Sequence, residues 1–410
     1  MVLRSARHFM ASTAIIGVVY LFLMFTDYQH NTHRDHLAAT HQHYFDVGGL
    51  RERGMERGGL RPRGMESEPG DHGRKSVHGD NSGKLVEPET GNDGKHHETG
   101  STSSSRALMR ILILTYKRDR SLRRCLDSIN NAEYDGEKVE VEIYIDRGKD
   151  GKVHKETFLV ANSFRFNHGP VRVHVQPRHV GVLGQWLGTW RVPRENSSEI
   201  AVFVEDDITV SPYFARWLRL VHKKYGSYPG INGYTLQAES IRHATGVLKA
   251  SLTGPPGEIV FLYPVLGSWG FSPNVGAWRD FLRWYNQSTT LQSTTLQSII
   301  PFVSGLKPSQ WYLDLHKAGR AESMWTMWHI AHAYTRKLYT VYPNLPEGKA
   351  LAINWKEPGE HYFHAATGEG LRAHLLDTWH AEDLRLPEQL SVLDAKGEIT
   401  GQMLSPTGLY

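Results

Sequence analysis

Ile200-Ala201-Val202-Phe203-Val204-Glu205-Asp206-Asp207 is an apolar run that stops in three consecutive carboxylates. An unbroken apolar run predicts a strand buried on both faces, as in a parallel sheet covered by helices. Adjacent carboxylates at the mouth of such a strand repel one another, so the pattern calls for a cation beside them. Oxygen ligands suit a hard divalent ion such as Mn²⁺ or Mg²⁺, with a diphosphate completing its shell. Ser211 as N-cap and Pro212 as first helical residue predict a helix running on through Tyr213-Phe214-Ala215-Arg216-Trp217-Leu218.

Three more strands are expected upstream. Ile111-Leu112-Ile113-Leu114-Thr115 is apolar and turns, through Tyr116-Lys117-Arg118-Asp119, into a helix with Leu122, Cys125, Leu126 and Ile129 on one face. Val139, Val141, Ile143 and Ile145 mark a strand ending at Asp146, and Val171-Arg172-Val173-His174-Val175 marks another. Strands alternating with helices or loops predict an α/β sheet of doubly wound type. Ligands bind outside the carboxyl ends of such strands, where Thr115, Asp146 and Asp207 fall. Further on, Phe261 to Gly270 reads as a strand entering a Gly-containing loop, Ala277 to Tyr285 as a helix, and residues 287–298 as a low-complexity surface loop. Trp325, Trp328 and Ile330 are expected in the core, and the polar stretch from Asn354 to His364 is expected to reach back over the site.

The 410 residues are unevenly composed. Phe9 to Thr26 carries no charge and follows Arg4 and Arg7, which predicts an uncleaved signal anchor with a luminal bulk. The tract after it is rich in Gly, His, Arg, Glu and Ser, holds a duplicated segment (48–56 and 58–66), and reads as a disordered stem. The expected organisation is a cytoplasmic tail (1–8), a transmembrane anchor (9–26), a luminal stem (27–105), a catalytic domain (106–385) and a C-terminal tail (386–410). A net charge of +4 makes no electrostatic case for nucleic acid. Cys125 is the single cysteine, excludes an intrachain disulfide, and is expected as buried packing. Asn196 and Asn286 head acceptor triplets for N-glycosylation.

Several of these segments together resemble one family. Arg110 to Thr115 with Arg120 to Ser128, Asp146, Val204-Glu205-Asp206-Asp207 with Val210 to Phe214, Pro264 to Gly270, and Trp325-Thr326-Met327-Trp328 are similar to the protein O-mannose and N-glycan N-acetylglucosaminyltransferase I families, glycosyltransferase family 13. Gly181 to Trp186 looks as much like family 2, which shares the fold. The resemblance implies a GT-A (Rossmann-like) nucleotide-sugar-binding domain behind the anchor and stem, in a type II protein of the Golgi membrane. It implies that Asp207 ligates Mn²⁺ (or Mg²⁺), and that Glu205 and Asp206 contact the UDP-sugar donor or hold the turn. It further implies that Thr115, Arg118 and Asp146 line the uridine pocket, and that His361 closes the metal shell.

The implied reaction is an inverting transfer of a sugar, GlcNAc as first choice, to a glycan or glycoprotein acceptor. The family carries an aspartate base between the two tryptophans; this chain has Thr326, whose hydroxyl is no general base near neutral pH. Glu322 and Asp280 stand as the nearest candidate bases. The alternatives are a transferase of Gal, Glc or Man, a catalytically inactive relative that binds nucleotide-sugar or glycan, and a luminal scaffold without nucleotide binding.

Overall fold

The computed structural model describes residues 108–193, 197–238, 240–242, 250–252, 254–295, 299–355, 357 and 374–404. The expected cytoplasmic tail, anchor and stem, and His361, lie outside the described residues. Among the described residues no helix is long and apolar enough to cross a membrane.

The first four strands are the expected ones: β1 (Met109–Thr115), β2 (Val139–Ile145), β3 (Val171–Val175) and β4 (Ile200–Glu205). They are all parallel, in the order β3-β2-β1-β4. The chain steps outward from β1 to β3 and then returns to the other side of β1. The order therefore reverses between β1 and β4, the place where an open α/β sheet leaves a crevice beyond its strand ends.

Each face of these strands builds its own core. Met109, Ile111, Ile113, Ile200, Val202 and Val204 face α1 (Asp119–Asn130) and α4 (Phe214–Tyr225). On α1 the expected stripe Leu122, Cys125, Leu126 and Ile129 is buried, and burial pushes the Cys125 thiol up. Leu112, Leu114, Ala201 and Phe203 face the opposite way, onto an aromatic core with Trp186, Trp278, Phe281 and Trp325. Those side chains come from α3 (Gly181–Gly188), α5 (Val275–Thr295) and the turn before α7 (Thr326–Thr335); α2 (Lys155–Ser163) and α6 (Lys307–Lys317) complete the helices named here. Helices thus cover both faces of β1 and β4, the reason these two strands read as apolar runs.

The sheet extends well beyond these four strands. β5 (Ile208–Val210) leaves it and pairs with β12 (Ala352–Asn354). The ten-stranded sheet continues past β4 through β10 (Phe271–Pro273), β6 (Ile231–Thr235), β11 (Tyr339–Pro343), β9 (Val260–Tyr263), β13 (Gln389–Leu393) and β14 (Ile399–Leu404). A small hairpin, β7 (Ser240–Arg242) with β8 (Ala250–Leu252), stands apart. β10 runs antiparallel to both β4 and β6, so the sheet is mixed. Gly270, at φ +74°, makes the turn into β10 with Leu236 against it.

Three expectations are corrected. Residues 386–404 are no tail: β13 pairs with β9 and β14, and Leu390 and Leu393 are buried. Residues 287–295 are no loop but the last turns of α5, where the Thr289 hydroxyl bonds back to the Tyr285 carbonyl at 3.0 Å. The helix after the acidic turn starts at Phe214, because the Ser211 hydroxyl accepts from Tyr213 N (3.1 Å) and also donates to the Leu376 carbonyl, holding 211–213 as a turn.

Candidate active site

A cavity of about 480 Å³ opens at the carboxyl ends of β1, β2 and β4. Thr115, Arg118, Asp146, Glu205, Asp206 and Asp207, six of the residues expected from sequence, line it together. Its size suits one small ligand.

From β4, Asp206 turns back onto the end of β1. Its Oδ2 accepts from the Thr115 hydroxyl at 2.7 Å and from Tyr116 N at 3.3 Å. Lys117, at φ 51°, bends the chain between β1 and α1 so that Arg118 faces the acidic turn. The Arg118 guanidinium spans both aspartates, with Nε 3.1 Å from Asp206 Oδ1 and Nη1 donating to Asp207 Oδ2 at 2.8 Å. Burial opposes the charge on Arg118, but Asp206, Asp207 and Glu205 outweigh it and hold the guanidinium more firmly protonated than usual. Part of the cation demanded by the three carboxylates is thus built into the chain.

Glu205 points the other way. Its Oε1 accepts the Trp186 indole N–H at 3.0 Å, and the Trp186 ring stacks on Trp325 with centroids 4.3 Å apart. Burial pushes the Glu205 carboxyl up; the neighbouring Asp207 adds to this, and the indole bond and Arg118 work against it. Asp206 is also pushed up by burial, against the pull of Arg118 and the Thr115 hydroxyl. These two carboxylates are costly to keep charged where they are.

Asp146, at the end of β2, spends its oxygens on the chain. Oδ1 accepts from Arg147 N (2.8 Å) and Val180 N (3.0 Å), and Oδ2 accepts from Gly181 N (2.9 Å) beside His179 Nδ1 (3.1 Å). It therefore ties the start of α3 to β2 and shapes the cavity wall.

The far wall comes from Ser268 and Trp269, after β9, and from Ser323 to Thr326 at the start of α7. Asn354 and Glu357 close the remaining side. Glu357 accepts from the Ser121 hydroxyl and from Arg124 Nη2 (2.7 Å), while Trp355 N donates to the Asp207 carbonyl at 3.0 Å. Residues 355 and 357 thereby brace the acidic turn against α1.

Both candidate bases fall outside the cavity lining. Glu322 is exposed on the short helical turn Ala321–Ser323. Asp280 belongs to α5, where it pairs with Arg336 Nη1 at 3.0 Å and faces His332 Nε2 at 3.6 Å. Ser323, on the same turn as Glu322, does line the cavity, and Asp280 is held by Arg336 on α5. Sequence reasoning singled out neither Trp186 nor His179, while Glu357 falls in the stretch from Asn354 to His364 expected to reach back over the site. Of Trp186 and His179, only Trp186 carried a signal, a buried indole whose N–H needs an acceptor.

Asp207 keeps one oxygen open: its Oδ1 is buried with no hydrogen-bond partner, and a carboxylate oxygen is a ligand type that suits a hard divalent cation. Among the described residues no three His, Cys, Asp or Glu side chains form a metal-holding group. A cation on Asp207 would thus take its remaining ligands from water and a bound anion, and the diphosphate of a nucleotide is such an anion.

No protein-family model matches the chain, and no curated protein matches it. Among solved structures it is similar to S. aureus TarS 1-349, at 13% identity and a TM-score of 0.32, over 58% of this chain and 61% of that one. The chain thus spans less than two thirds of that structure, and a likeness this distant decides neither fold nor chemistry.

Proposed function

We propose that the chain is a metal-dependent glycosyltransferase that takes its sugar from a nucleotide donor. The observation that carries this reading is the unpartnered, buried Oδ1 of Asp207 in a cavity at the reversal of strand order. Asp207 would hold Mn²⁺ or Mg²⁺. The chemistry such an ion would supply there is Lewis-acid neutralisation of the charge on a departing nucleoside diphosphate. Thr115 and Asp206 fix the acidic turn, Arg118 supplies a second positive charge, and Trp269 offers an aromatic ring to a hexose. UDP-GlcNAc is the donor we place first and a glycan or glycoprotein the acceptor. With residues 9–26 read as a signal anchor, the catalytic unit faces the Golgi lumen.

Thr326 on the cavity wall favours one second reading, a relative that binds donor without transferring it. Both readings are tested on the full-length protein with UDP-GlcNAc, UDP-Gal, UDP-Glc and GDP-Man, beside Asp207→Asn. Mn²⁺-dependent release of one nucleoside diphosphate, lost in Asp207→Asn, establishes the enzyme and names its donor. Binding without release establishes the inactive relative, and binding of no donor removes both.

A further inference from the structure

The two oxygens of Asp207 are in opposite situations. Oδ2 holds the Arg118 guanidinium at 2.8 Å, whereas Oδ1 has no hydrogen-bond partner. A cation arriving at Oδ1 meets a guanidinium already bound to the same carboxylate. The two like charges would sit within a few ångströms of each other in a partly buried site, where repulsion is little screened.

Asp206 depends on Arg118 only in part: its Oδ1 would lose the Nε contact at 3.1 Å, while its Oδ2 is held from β1. If the guanidinium leaves, Asp206 keeps the Thr115 hydroxyl and Tyr116 N. Asp207 then has both side-chain oxygens open. The Arg118 side chain lines the cavity and remains about a quarter exposed (27%), so it has room to turn toward a ligand there. Guanidinium groups pair well with phosphate oxygens, in a forked geometry that a carboxylate also satisfies.

We propose that Arg118 is a gate on the cation site: it holds Asp207 until a nucleoside diphosphate arrives, then turns onto the diphosphate and releases Asp207 to the cation. The gate rests on reading the cavity as a nucleotide-sugar site. It makes the cation and the nucleotide bind cooperatively, and it keeps the cation from occupying the site alone. By linkage, the cation then tightens the nucleotide by the same factor that the nucleotide tightens the cation.

The test is Mn²⁺ binding to the full-length protein, followed by loss of the free-ion electron paramagnetic resonance signal, with and without UDP and with the Mn²⁺ taken up by UDP alone measured and subtracted. For the wild type, UDP is expected to tighten Mn²⁺ by about tenfold or more. Arg118→Gln and Arg118→Met are each expected to bind Mn²⁺ without UDP about tenfold more tightly than the wild type, and to gain less from UDP than the wild type does. A purely structural role for Arg118 would weaken the site in those variants instead. UDP-coupled binding in the wild type, with neither variant tighter than it, overturns the gate and leaves the metal reading intact. Equal wild-type affinity with and without UDP also overturns the gate, whether or not the variants fold. No Mn²⁺ binding under any condition removes the metal reading, and the gate with it.

Discussion

The indole N–H of Trp186 donates to Glu205 Oε1 at 3.0 Å, so a residue of the aromatic core holds one end of the acidic triplet. Trp186 itself is fixed by stacking on Trp325 and on Phe203, at 4.3 and 4.8 Å between centroids. Trp186→Phe keeps the ring and removes the donor. A hydrogen bond to a charged group contributes about 1.5–3 kcal/mol, so this variant should unfold a few degrees below the wild type by calorimetry. An unchanged melting temperature would mean that the bond contributes nothing to holding Glu205.

Burial raises the carboxyls of both Glu205 and Asp206, and the sign of the resulting pH dependence follows. The folded protein keeps protons on these groups at pH values where the unfolded chain has released them. Stability is therefore greatest within the ordinary carboxylate range and falls as pH rises toward the raised values. Melting temperatures measured between about pH 5 and about pH 7.5 should decline, and Asp206→Asn should flatten the decline. Added Mn²⁺ with UDP should restore more stability at the upper end than at the lower, because the cation stabilises the charged carboxylates. A ligand-induced gain independent of pH would show that the two carboxylates do not feel the cation.

Asp280 and Glu322 lie outside the cavity lining, and their substitution tests whether either takes part in the chemistry. Asp280→Asn should leave kcat within about twofold, since the lost group touches no reacting atom. It removes the partner of Arg336 on a half-exposed surface, which costs about 1 kcal/mol or less in melting measurements. Glu322→Gln should be neutral in both assays. A large fall in kcat from either variant would require that residue to reach the cavity by a rearrangement absent here.

What the sequence shows and what it hides divide along physical lines. The strands β1 and β4 are legible because helices cover both their faces, which leaves apolar runs, β2 and β3 show instead by alternation of apolar with polar residues, and Asp207 is legible because three carboxylates end the β4 run. β10 is three residues long, Phe271 to Pro273, and has too few positions to show a period. β14 is largely exposed and belongs to the sheet only through β13, so nothing in its composition sets it apart from a tail. The site shows the same split. Arg118 was legible as a candidate by its place after β1, but its pairing with Asp207 spans 89 positions and depends on the reversal of strand order. Glu357 comes from still farther, 236 positions from Ser121; the polar stretch after Asn354 marks its segment, but not its pairing with α1.

Thr326 stands at the start of α7 on the cavity wall, between Trp325 and the buried Met327. Its hydroxyl keeps its proton near neutral pH, so Thr326→Val should change kcat by less than about twofold. Thr326→Asp places a carboxylate in the first turn of a helix, where the helix dipole favours negative charge, and directs it to the cavity. A positioned general base is worth about 10²-fold or more, so that variant should transfer sugar faster, with donor KM unchanged. Rates measured with excess acceptor decide the point. A kcat lost in Thr326→Val would mean that the hydroxyl itself contacts the substrate. A Thr326→Asp variant no faster than the wild type would mean that the acceptor hydroxyl lies against another wall, with Glu205 and Glu357 the carboxylates nearest to hand.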